Sequence, residues 1–201
     1  MSVERIRHLF ANVILLLIVA ELLLVFASWL WAATTTTEGV RSLISEEGVH
    51  WLFGNFTDIL SGPWLVHLLL LSMAGGNLWR SGLLRMSSKS YRGRLAIRLT
   101  IITFLLFVVV LLLLIAVPHA ILLSATGAVF PSPFSRAIVP LFSLGVVLVS
   151  TVHGWASGRY VSFADIVGSW SYGISQAAPL FVLYVLLMQL YKSLLFVFLY
   201  T

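Results

Sequence analysis

Four ionisable side chains stand inside otherwise apolar stretches of the sequence: Glu21, His67, His153 and Lys192. A carboxylate in an apolar medium can carry a proton or a cation, and a lysine at the same depth can act as its counter-charge. A charged group at the centre of a bilayer costs ~2.5–3.5 kcal/mol to insert, so its presence there is a functional hypothesis by default. The two histidines are weaker candidates, because neither has a second ligand at metal-binding spacing. No phosphate-binding glycine loop, dinucleotide fingerprint, His-Glu-x-x-His pair or nucleophile elbow occurs. The expectation is therefore a non-enzyme without catalytic residues, cofactor or metal. The sequon Asn-Phe-Thr at 55–57 matters only on a eukaryotic secretory route, and nothing else points to one.

The surrounding composition defines the medium. Hydrophobic residues make up 60% of the 201-residue chain and charged residues 9%, with a mean hydropathy of +1.05. Soluble domains carry about 25% charged residues, so this chain cannot cover a water-facing surface and must lie in lipid. With no cysteine, disulfides and thiolate metal sites are excluded. The net charge is +5, but six of the twelve basic residues fall between Arg80 and Arg98. In so apolar a chain this clustering orients the protein in a membrane. It does not mark a nucleic-acid surface.

A hydrocarbon core ~30 Å thick takes roughly 20 apolar residues to cross. Five stretches fit, at about 9–31, 62–79, 99–117, 137–158 and 179–200. The first is 23 residues long, beyond the 7–15 apolar residues of a cleaved signal peptide, and reads as a retained anchor. Pro140 falls in about the first turn of the fourth span, and Pro179 suits the first turn of the fifth. Segments 38–58 and 160–175 mix apolar and polar residues, as interfacial or re-entrant helices do. The expected fold is a single all-α integral membrane domain, 1–201, with about five transmembrane helices and two such segments.

Acidic residues dominate the connection between the first two spans, and the next connection holds the basic cluster. Lysine and arginine collect on the cytoplasmic side. This predicts a multi-pass protein of the cell inner membrane, N-terminus cytoplasmic and C-terminus extracytoplasmic. Glu21 then lies ten residues from the end of its span, about 15 Å deep, and Lys192 about 12 Å deep from the same side. A Glu21–Lys192 pair is geometrically allowed, in competition with a proton or cation site at Glu21. Asn77 and Gln189 suit interhelical hydrogen bonds. Gly75, Gly76 and the small residues of "STVHGWASG" suit close helix packing and oligomerisation.

Two stretches resemble the p-aminobenzoyl-glutamate (AbgT-type) transporter family. "EGVHWLFGNFTDILSGPWLVHLLLLSMAGGNLWRSGLL" is similar to that family's early interfacial stretch, its Asn-Phe-Thr and the helix ending before Ser-Gly-Leu. "SPFSRAIVPLFSLGVVLVSTVHGWASGRYVSFADIVGSWSYGI" is similar to its mid-chain Ser-Pro-Phe segment, where a helix with an early Ile-Val-Pro re-enters the membrane. The resemblance covers about residues 38–85 and 95–190. It implies secondary transport of a small organic anion by an oligomer.

The departures are as informative as the matches. Family members are longer and use two re-entrant hairpins and broken helices as their transport core. Here the first hairpin and its Ser-Asp helix have no counterpart, the chain stops near where the second would begin, and apolar Leu195-Phe196-Val197 stand in place of the family's Asn-Trp-Ser break. No substrate-binding residue carries over. The expectation is a reduced AbgT-type transporter, with a transport-incompetent scaffold or subunit of a larger membrane complex as the alternative. Its partners would be the lipid bilayer and either copies of itself or another membrane protein, with no nucleic acid.

Overall fold

The computed structural model describes residues 3–34, 41–86, 90–116 and 133–199. Among them all regular structure is helical: α1 (Val3–Thr34), α2 (Glu46–Gly54), α3 (Phe56–Leu60), α4 (Pro63–Ser81), a 3-10 turn (Leu83–Arg85), α5 (Tyr91–Ala116), α6 (Pro133–Ala156) and α7 (Phe163–Phe198). Four helices are long and apolar enough to cross a bilayer, over Glu4–Thr34, Tyr91–Leu114, Arg136–Ala156 and Phe163–Phe198. The protein is an all-helical, multi-pass membrane protein. Helix α4, which coincides with the predicted span 62–79, is not among the four. It has 19 residues, about 28 Å at 1.5 Å each, but His67, Ser72, Asn77 and Arg80 dilute its apolar character.

The largest difference from expectation is at α7. Residues 160–175 do not form a separate interfacial segment, and Pro179 does not open a new helix. Helix α7 runs unbroken for 36 residues with Pro179 inside it. Asp165 starts the helix by accepting the N–H groups of Val161 and Ser162, both at 2.9 Å. Proline removes one backbone donor, whereas breaking the helix in lipid would strand many polar groups, and the second cost is larger. Pro140 lies about two turns inside α6, because that helix begins at Pro133. Residues 38–40 of the predicted segment 38–58 and residues 117–132 lie outside the described residues. The remainder of 41–58 forms a turn, α2 and α3.

The chain divides into two compact units: residues 1–65 with 178–201, and residues 66–177. In the first, Leu43, Phe196 and Val197 form a small core with Leu24, Val25 and Trp51 packed against it. Trp51 stacks on Phe196 with ring centroids 4.4 Å apart. Ser28 accepts the Leu43 N–H at 3.2 Å, and Tyr184 donates to the Leu60 carbonyl at 3.1 Å. Residues 17, 21, 24, 25 and 28 recur at helical period, so they form the face of α1 that this unit covers. Most of the other apolar residues of α1, such as Leu15, Leu16, Leu22, Leu23 and Phe26, are exposed, as on a lipid-facing helix.

In the second unit α6 is central: 33% of its span is buried, against 6% for α5. The Phe107 ring of α5 lies against Gly145 of α6, where a side chain would collide with it. Helices α4 and α7 touch backbone to backbone at Gly76 and Gly173. A Cβ on either glycine would overlap the other helix's main chain. Small residues permit this close approach in membranes, where helix association relies on packing and hydrogen bonds.

Candidate functional site

The close approach of α4 and α7 brings a polar set of side chains together around Asn77, which is fully buried. Its Nδ2 donates to the Val147 carbonyl at 3.0 Å and to Thr151 Oγ1 at 2.7 Å. Its Oδ1 accepts from Tyr160 Oη at 2.7 Å and from Ser169 Oγ at 2.9 Å. A carbonyl can only accept, so Val147 fixes which way the amide faces. An asparagine amide has two donor hydrogens and two acceptor lone pairs, and all four have a partner in range, Ser169 sharing its one hydrogen between Asn77 and the Ile166 carbonyl at 2.6 Å. Burial pushes the Tyr160 phenol above its ordinary range, which keeps it a donor. The set joins α4, α6, α7 and the turn between the last two.

His153 lies in the same unit, 4% exposed. Its Nδ1 is 3.0 Å from Thr100 Oγ1, whose hydroxyl also reaches the Ala96 carbonyl at 2.7 Å. The hydroxyl has one hydrogen. When that goes to Ala96, the imidazole is the donor. This is an interhelical bond between α5 and α6. His67 is half-buried on α4. Among the described residues no three His, Cys, Asp or Glu side chains gather as a metal site would require.

Glu21 is placed differently. In the first unit its Oε1 accepts from Ser193 Oγ at 2.7 Å, and Ser193 in turn lies 3.4 Å from Gln189 Nε2. Gln189 and Ser193 are four residues apart on α7 and share a face. The adjacent Lys192 points about 100° away on the same helix, so the carboxylate meets Ser193 and not the lysine allowed by depth alone. Glu21 Oε2 and Gln189 Oε1 are both buried without a hydrogen-bond partner. Two other buried atoms, Ser143 Oγ and Trp170 Nε1, share that condition. Only the Glu21 and Gln189 oxygens belong to residues joined by a common neighbour. The cluster holds an excess of acceptors over donors.

An open recess of about 720 Å³ lies beside α2, lined by Arg41, Glu46, Glu47, His50, Trp51 and Phe196 among others. Arg41 is paired with Glu47 at 3.1 Å, so its charge is already answered there.

Of the four sequence-predicted residues, Glu21 is thus placed against Ser193 and His153 against Thr100. Ser193, Thr100, Tyr160 and Ser169 complete the networks without having stood out in the sequence, and Thr151 stood out only as one of the small residues of "STVHGWASG". The signal for Ser193 was its four-residue spacing from Gln189; nothing local distinguished the others.

The fold defines a multi-pass helical membrane protein, and its two polar clusters differ: one is saturated, the other holds unpartnered acceptors. Compared with known protein families, curated proteins and solved structures, the chain matches none.

Proposed function

We propose that the protein is a reduced AbgT-type secondary transporter of the cell inner membrane, with its N-terminus cytoplasmic and C-terminus extracytoplasmic. In this reading it works as a homo-oligomer and moves a small organic anion with a proton or cation. The observation that supports it is the Glu21–Ser193–Gln189 cluster. Unpartnered acceptors are costly away from water, and a proton on the carboxylate, or a bound cation, removes that cost. The resemblance over residues 38–85 and 95–190 supplies the substrate class.

A second reading, a transport-incompetent scaffold or subunit of a larger membrane complex, is supported by a different observation. Transport sites are normally built from discontinuous helices near the midplane, and the described residues of α1, α5, α6 and α7 run without a break.

Native mass spectrometry from the native membrane, followed by flux in proteoliposomes, separates the two. Multiples of 22.3 kDa and a flux that Glu21→Gln uncouples from the ion gradient are expected for a transporter. A fixed-ratio unrelated polypeptide and no flux would leave the scaffold.

A further inference from the structure

Both connections at one end of the second unit turn on a glycine with positive φ, Gly82 at 73° and Gly158 at 78°. Each receives an arginine from the other connection's side. The Arg159 guanidinium occupies the space a side chain at 82 would need, and Arg92 Nη1 lies 3.2 Å from where a Cβ at 158 would be. The turns are thereby clasped together, with Arg92 and Arg159 exposed over them. Arg85 lies close by in the 3-10 turn, its guanidinium 5.9 Å from the centre of the Trp79 ring. Arg80 donates to the Gly168 carbonyl at 3.2 Å.

The charge at this end is not answered from within. Arg85, Arg92, Arg98 and Arg159 belong to it, and Asp165, which lies within the field of Arg80, is the only acidic residue anywhere in 66–177. That carboxylate is engaged by the start of α7. The N-terminal ends of α5 and α7 add positive charge here, and the C-terminal ends of α4 and α6 offset part of it. An external anion would answer the charge that remains.

Position decides which anion. The arginines cap the ends of α5, α6 and α7, all long and apolar enough to cross a bilayer. Exposed Trp79, Tyr91 and Trp155 rings stand at the same level, as an interfacial aromatic belt does. Guanidinium forks match phosphate oxygens in pairs, and at this level the abundant phosphates are those of lipid headgroups. We propose that the Arg92–Arg159 clasp, with Arg85, is a binding site for the phosphate of anionic phospholipids.

Native mass spectrometry of the purified full chain in mild detergent tests this, with phosphatidylglycerol and phosphatidylcholine titrated in parallel. Wild type should retain phosphatidylglycerol about 10- to 30-fold more tightly than phosphatidylcholine, what two basic residues near an anionic surface contribute. The Arg92→Gln/Arg159→Gln double variant should lose that preference, and Arg136→Gln, at the far end of α6, should keep it. Inorganic phosphate at matching concentration should not displace the lipid. Equal retention of both lipids by wild type would overturn the proposal without any variant. So would an unchanged preference in the double glutamine variant, or displacement by free phosphate. Should the glutamine variant not fold, Arg92→Lys/Arg159→Lys keeps the charge and removes the fork. A weakened preference there supports a guanidinium–phosphate site, and full preference reduces it to unspecific charge.

Discussion

Asn77 and Glu21 each bring a polar side chain into an apolar helical unit, and the two units treat them oppositely. Around Asn77 every donor hydrogen and acceptor lone pair of the amide has a partner in range, supplied by α6, Tyr160 and a Ser169 hydroxyl shared with Ile166. Around Glu21 one oxygen is bonded to Ser193, and two acceptors, Glu21 Oε2 and Gln189 Oε1, have none. A satisfied buried network rigidifies and specifies a packing, whereas a partly satisfied one holds stress that something else must relieve. The first is architecture. The second is where the proposed function puts a proton or a cation.

The largest effect is expected at Asn77. Interhelical hydrogen bonds in membranes average ~0.6 kcal/mol each, so Asn77→Ala, which removes four, should cost about 2–3 kcal/mol. Thermal unfolding in detergent would read it as a clear drop in midpoint. A loss of only a few tenths would mean the network forms without contributing, and the comparison would fail at its stronger side.

The neighbouring glycines give a sharper contrast. A Cβ at Gly76 meets the α7 backbone, while one at Gly75 meets nothing within 4 Å. Gly76→Ala should destabilise by about 1–3 kcal/mol through overpacking. Gly75→Ala should be neutral or gain about 0.5–1 kcal/mol from helix propensity. Equal effects in the same unfolding assay would remove the backbone contact from the account.

Smaller still is Tyr160→Phe, expected to cost about 0.6–1 kcal/mol by losing its bond to Asn77. It also has a pH signature. Burial raises the folded-state phenol above its usual value of 10.0, so the folded state holds this proton more firmly than the unfolded chain. The phenol's contribution is fully present below about pH 10 and is lost as pH rises through the raised value. Wild type should therefore lose more stability than Tyr160→Phe between pH 9 and 11, and parallel curves would count against a buried, donating phenol.

The sequence carried the membrane class, because composition and the length of apolar runs are direct consequences of lipid as solvent. It also marked Asn77, Gln189 and Glu21, since polar residues are rare in such runs. What it did not carry were partners. Glu21 and Lys192 agree in depth, yet adjacent positions on α7 face different ways, and only the rotation of the helix selects Ser193. Gly75 and Gly76 look alike as letters, and the facing helix makes them unlike. Pro179 reads as a helix start by local preference and is overruled by the cost of exposing backbone to lipid.

The smallest expected change in stability is at Glu21, and it is the most decisive. In a saturated network any substitution removes a bond. In one with surplus acceptors, replacing a carboxylate by an amide adds donors, so Glu21→Gln should leave the unfolding midpoint unchanged or raise it by up to about 1 kcal/mol. Ser193→Ala, which removes the cluster's bond to the carboxylate, should cost under about 1 kcal/mol. If Glu21→Gln instead costs as much as Asn77→Ala, the carboxylate is a structural member of a network like the other, and the two regions do not differ in kind. If it folds with wild-type stability and loses ion coupling in proteoliposomes, the asymmetry between the regions is the division between framework and function. Stability and flux must be read on the same variant, because only their separation distinguishes a group that holds the helices from one that exchanges an ion between them.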